Sequence, residues 1–186
     1  MGAYQWRPAS EPFSPVTGRY PGMDPGHPLQ GMTDLWDDTI DDMQATAAEL
    51  REAGWETVEL RPGAVTPLPR LETDDGYEDD RTGFDVLVPG NEFEAVQDAV
   101  DGAEFDAYEA YNAQTNGVVF AVVVMKAAEA GRAVLIPIYY TAADAEETVR
   151  RIEDAGESRL YVRPLDDSER VLFVQQQPEA LLPAEE

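Results

Sequence analysis

The sequence predicts an α+β fold, a two-layer sandwich in which three helices cover one face of a mostly antiparallel sheet. Three observations predict it: three stretches with helical apolar spacing, seven short apolar runs bounded by turn residues, and an Asn-Gly dipeptide joining two of those runs. A chain of 186 residues is long enough for one well-buried core and short for two. The expected organisation is a Pro-rich N-terminal tail over residues 1–30 and a single domain over residues 31–182.

The tail carries six of the fourteen prolines and has neither helical nor strand period. Its Tyr4, Trp6, Phe13 and Tyr20 fit either incidental aromatics or an anchor to the domain or a partner chain. The first helix is expected from Thr33 to Ala53, because Trp36, Ile40, Met43, Ala47 and Leu50 form one apolar stripe. Thr33 is the expected N-cap and Gly54 the stop. A strand follows at Trp55–Leu60, closed by Arg61-Pro62-Gly63, and residues 63–82 read as a Pro- and acid-rich loop. Phe84–Val88 is a short strand ended by Pro89. Asn91 then caps a helix to Val100, with Glu94 completing a capping-box pattern and Phe93, Val96 and Val100 facing inward.

Strands at Phe105–Ala113 and Val118–Lys126 are joined through Asn116-Gly117, a strong hairpin signal. The second is apolar on both faces, which places it in the centre of the sheet. Ala133–Tyr140 is another strand, and Pro137 inside it cannot donate to a ladder, so pairing should end or loosen there. Thr141 is expected to cap a third helix to Ala155, with Ala145, Val149 and Ile152 inward and Gly156 as its stop. Strands at Arg159–Arg163 and Arg170–Gln175 finish the domain, linked by Asp166-Asp167-Ser168.

Two stretches echo each other. Leu50-Arg51-Glu52-Ala53-Gly54 and a strand ending Leu60-Arg61-Pro62 parallel Ile152-Glu153-Asp154-Ala155-Gly156 and a strand ending Val162-Arg163-Pro164. Val86-Leu87-Val88-Pro89 likewise parallels Val134-Leu135-Ile136-Pro137. Internal duplication accounts for both; so does the shared chemistry of helix–strand joints, in which Gly closes helices and Pro ends strands.

Charge is the dominant compositional fact: 38 acidic residues against 13 basic ones, net −25, with Lys126 the only lysine. In dilute buffer such a charge repels itself and opposes compaction. In about 1 M salt the screening length falls to about 3 Å and most of that cost disappears. The composition therefore fits a salt-rich cytoplasm. An acidic mimic of nucleic acid is the alternative, but it requires one-sided acidity, and here Asp and Glu occur in every segment. Nucleic-acid binding is disfavoured because it draws affinity from basic side chains on phosphates. No membrane segment is expected, since the longest apolar run, Val118–Met125, is too short to span a bilayer.

The chain has no cysteine, which removes thiolate chemistry and Cys-based metal sites. Its one histidine, His27, cannot supply a multi-histidine site. Asp74, Asp75, Glu78, Asp79 and Asp80 could gather a hard cation, yet they lack the ligand alternation of a calcium loop and read better as a solvated stretch. Arg61 and Arg163 occupy matching positions of the echo and are the candidate ligand-binding residues, for an anion; pairing with nearby carboxylates is the competing reading. Lys126 lacks the glycine-rich loop of a phosphate cradle, and Trp36, Trp55, Tyr108, Tyr111, Tyr139, Tyr140 and Tyr161, at element ends or in strands, read as core and rim packing before they read as the floor of an apolar pocket. No cofactor is implied and no catalytic residue is assigned.

The series AAELREAGWETVELRPGAVTPLP, FDVLVPGNEFEAV, AVLIPIYYT and YVRPL resembles a family of uncharacterised proteins from halophilic archaea, a domain of unknown function, over residues 33–180. The resemblance implies a salt-adapted lineage and carries over no functional residue. The expected function is a non-enzymatic binding or interaction module and a possible homo-oligomer. An enzyme using carboxylates or a divalent metal is the alternative.

Overall fold

A computed structural model describes residues 32–69 and 81–183. The Pro-rich tail and the acidic stretch Asp74–Asp80 lie outside the described residues. The order of elements is α1 (Thr33–Glu52), β1 (Glu56–Glu59), β2 (Ala64–Leu68), β3 (Gly83–Leu87), α2 (Gly90–Val100), β4 (Ala107–Thr115), β5 (Val118–Ala127), β6 (Arg132–Thr141), α3 (Glu146–Ala155), β7 (Glu157–Arg163), β8 (Val171–Gln176) and a short 3-10 turn at Pro178–Leu181.

The α+β class holds, but the strands form two mixed four-stranded sheets where one was expected. Their orders are β1-β6-β5-β4 and β2-β3-β7-β8. β1 runs parallel to β6 and β3 parallel to β7, and every other pair is antiparallel. Nor do the helices share one face. The reason lies in β5, which is apolar at successive positions and so needs cover on both sides. Val122 and Val124 join Met43, Ala47 and Leu50 of α1 in one cluster. Val119, Ala121, Val123 and Met125 point the other way, into a larger core with Phe84, Val86, Leu160 and Val162 of the second sheet. Phe93 and Val96 of α2, Ala145 just before α3 and Ile152 within it complete that larger core. Helices α2 and α3 each carry the chain from one sheet to the other.

Local chemistry explains most boundaries. Asn116 (φ 50°) and Gly117 (φ 78°) both adopt positive φ, the requirement of the tight turn that joins β4 to β5. Gly156 closes α3 in the left-handed region at φ 70°. The expected helix caps move by one to four residues. Met32 precedes α1, Pro89 precedes α2 and Ala145 precedes α3, none with a side-chain cap bond, so the capping box at Asn91 and Glu94 does not form. Thr141 still belongs to β6, and its carbonyl accepts from the Ala145 N–H at 3.2 Å before α3 begins.

Pro137 does loosen the sheet, on one side only. β1 stays in register with β6 as far as Glu59 opposite Leu135, and the Leu60 N–H still bonds the Leu135 carbonyl at 3.0 Å. Two residues on, Pro137 offers no N–H toward that side, and β1 is gone. On the other side Pro137 sits opposite Val122 and the β5 ladder continues to Thr141. The sequence echo also has a spatial counterpart. The strands that follow the two helices with a glycine at their C-terminal end, β1 and β7, each lie parallel to one of the two echoing strands, β6, which contains Pro137, and β3, which ends two residues before Pro89.

Candidate functional site

Arg61 and Arg163 flank the C-terminal end of β3 without forming a joint site. Arg61 leaves the end of β1; its backbone N–H donates to Glu92 Oε2 at 2.9 Å and its side chain is exposed. Two residues later the Gly63 N–H bonds the Leu87 carbonyl at 2.8 Å. On the opposite side of β3, the Val88 N–H bonds the Arg163 carbonyl at 3.0 Å. The Arg163 guanidinium turns back along the sheet, where its Nε lies 2.9 Å from both carboxylate oxygens of Asp85. Asp85 is 1% exposed and Arg163 15%. A carboxylate so deeply buried demands a compensating charge, and Arg163 supplies it. Carboxylate pairing thus accounts for Arg163, whereas Arg61 has no ion pair among the described residues.

Lys126 is also engaged. Its Nζ lies 3.0 Å from Glu109 and 5.7 Å from the centre of the Trp55 ring. Among the described residues no group of three His, Asp or Glu side chains is placed to hold a metal ion. A shallow groove of about 340 Å³ runs along α3, lined by Glu146, Val149, Arg150, Glu153 and Pro183. It brings no nucleophile beside a base.

The feature that sequence reading missed lies on the outward face of the second sheet. β7 alternates strictly: Ser158, Leu160 and Val162 point to the core, while Arg159, Tyr161 and Arg163 point away. The Arg81 guanidinium sits 5.7 Å from the centre of the Tyr161 ring. Arg159 bonds Glu157 Oε1 through Nε at 2.9 Å and Nη2 at 2.6 Å. Arg170 grips both carboxylate oxygens of Asp167 at 2.8 Å, and Arg170, Arg163 and Arg81 together hold the Asp167 carboxyl below its usual range. Of the chain's twelve arginines, Arg159 and Arg81 lie against Tyr161, and Arg163, Arg170 and Arg81 act on Asp167. Close in the chain are the large apolar side chains that are most exposed among the described residues: Leu165, 82% accessible, in the turn after β7, and Leu172, 48% accessible and opposite Tyr161 in the ladder. Strand alternation in Arg159-Leu160-Tyr161-Val162-Arg163 was the available signal, but Arg81 and Arg170 come from separate turns and meet only in the fold.

Among the described residues no helix is long and apolar enough to cross a membrane. No curated protein and no solved structure matches the chain. Residues 27–183 match DUF7529, and the chain belongs to this family of unknown function.

Proposed function

We propose that the protein is a non-enzymatic interaction module of a salt-rich, halophilic-archaeal cytoplasm, and that it meets its partner through the arginine-bearing edge formed by β7 and β8. One observation carries this reading. On a chain of net charge −25, Arg159, Tyr161 and Arg163 of β7 share a sheet face with the exposed Leu172 of β8. Leu165, the most exposed large apolar side chain among the described residues, follows in the next turn. Arg and Tyr are the residue types that dominate binding energy at protein interfaces, because each presents a large, rigid surface together with hydrogen-bond donors. In concentrated salt long-range attraction is screened, so short-range bidentate pairs and apolar contacts have to supply the affinity.

The reading is tested on the full chain folded in molar potassium chloride. Light scattering measures association, and melting temperatures are taken with magnesium, manganese, calcium and nucleotides at matched ionic strength. The expected result is a particle heavier than one chain and no rise in melting temperature with any of these small ligands. A strict monomer whose melting temperature climbs with a cation or a nucleotide contradicts the reading and favours the carboxylate- or metal-dependent enzyme.

A further inference from the structure

We infer that Ser158 and Gln175 together bind one internal water molecule in the core between the two sheets. The site is built into the interior and stands whether or not the edge of β7 and β8 meets a partner.

The two residues face each other across the β7–β8 ladder. On β7, Ser158 falls in step with Leu160 and Val162; on β8, Gln175 falls in step with Phe173. Alternation therefore sends both polar side chains inward, into a row of positions otherwise held by apolar residues. Both are 0% exposed. Directly opposite residues have Cβ atoms about 4.5–5.5 Å apart, so one small molecule can touch both side chains.

The Gln175 amide is held through its nitrogen. Nε2 donates to the Phe173 carbonyl at 3.0 Å and to Met125 Sδ, on β5 of the first sheet, at 3.4 Å. Turning the amide over would set its oxygen against the Phe173 carbonyl, so the orientation is fixed. Gln175 Oε1 then has no protein donor, and the Ser158 hydroxyl has no protein partner either. An unbonded buried polar group carries its full desolvation cost, and two at one ladder position carry it twice.

Water removes both costs at once. One of its hydrogens can go to Gln175 Oε1, which only accepts, while its oxygen accepts from the Ser158 hydroxyl. Two polar partners are enough to hold a buried water. A hard divalent cation suits the site poorly, because it takes about six or more oxygens and would bring a bare charge among apolar side chains. The water ties β7 to β8 at this position and, through the Gln175 amide, to β5, fastening one sheet to the other.

The test uses the full chain in molar potassium chloride. A crystal structure fine enough to show ordered solvent should place one water about 2.5–3.0 Å from both Ser158 Oγ and Gln175 Oε1. Ser158→Ala removes one partner with little change of volume. It should raise the unfolding equilibrium constant about tenfold, measured by chemical denaturation. In a Gln175→Met background the same substitution should have almost no effect, because the water has already lost its acceptor. A direct Ser158–Gln175 hydrogen bond in the crystal, or no density between the two atoms, overturns the site. So does a neutral or stabilising Ser158→Ala, since a hydroxyl with a bound water cannot be removed without loss. A Ser158→Ala loss that persists undiminished beside Gln175→Met places the hydroxyl's partner elsewhere and also overturns it.

Discussion

Asp85 is the only acidic side chain among the described residues that is buried, and the Arg163 Nε–H lies 2.9 Å from both of its carboxylate oxygens. Removing one member of such a pair leaves the other charged and dehydrated. Arg163→Ala and Asp85→Ala should each cost about 3–5 kcal/mol, read from chemical denaturation in molar salt, while the isosteric Asp85→Asn should cost less. A loss under about 1 kcal/mol for Arg163→Ala would show that the pair is better solvated than its burial implies. Gly83 sets a second residue-scale limit. It begins β3 at φ 126°, and a Cβ built there would lie 1.9 Å from the Arg159 carbonyl oxygen. Gly83→Ala should therefore cost about 3 kcal/mol or more, from backbone strain and overlap with an unyielding main chain. A near-neutral change in melting temperature would contradict the close approach of β3 and β7. The importance of Arg163 was visible in the sequence through its place in the echo. Its partner was not, because the carboxylate that neutralises it lies 78 positions away and looks like any other aspartate of an acidic chain.

At the scale of elements, the C-terminal turn is tied to the first sheet by phenols. Tyr108 donates to the Gln177 carbonyl and Tyr140 to the Leu181 carbonyl. Burial pushes Tyr108 up to about 12, with Glu179 adding to the shift; burial likewise pushes Tyr111 up to about 12 and Tyr140 higher still. The folded state thus favours the neutral phenols, whereas unfolded tyrosines ionise near pH 10. Their contribution is complete below pH about 10 and is lost as pH rises toward and beyond about 12. Melting curves at fixed salt should fall over that alkaline window, and Tyr140→Phe should flatten part of the fall while costing about 1–3 kcal/mol at neutral pH by leaving the Leu181 carbonyl unpaired. An unchanged alkaline profile in Tyr140→Phe would contradict the buried bond. This turn was not legible beforehand, because Pro178-Glu179-Ala180-Leu181 has no periodicity and acquires its shape from contacts with β4 and β6. β2 was missed for a similar reason: Pro67 and the neighbouring prolines mark a loop by composition, yet an edge strand tolerates proline where its N–H would face solvent. By contrast α1, β5, α3 and the Asn116-Gly117 turn were legible, since their signals are local: apolar spacing, two-sided apolarity and positive φ.

For the whole molecule, a net charge of −25 predicts a fold whose stability depends on salt. Every described acidic side chain except Asp85 is at least partly open to solvent. Their mutual repulsion therefore runs through water and yields to screening, while the apolar cores on both faces of the first sheet are indifferent to it or strengthened by salt. This separation also gives meaning to the arginine-bearing edge. On the proposed reading the remaining carboxylates are a solvated coat, and the arginine-bearing edge stands out against it. The most direct test is the free energy of unfolding of the full chain as potassium chloride is raised from dilute buffer to molar concentration. Stability that climbs by several kcal/mol and levels off once the charges are screened is the predicted result. A chain equally stable in dilute buffer and in brine would contradict the account, because its negative charge would then have to serve a specific target.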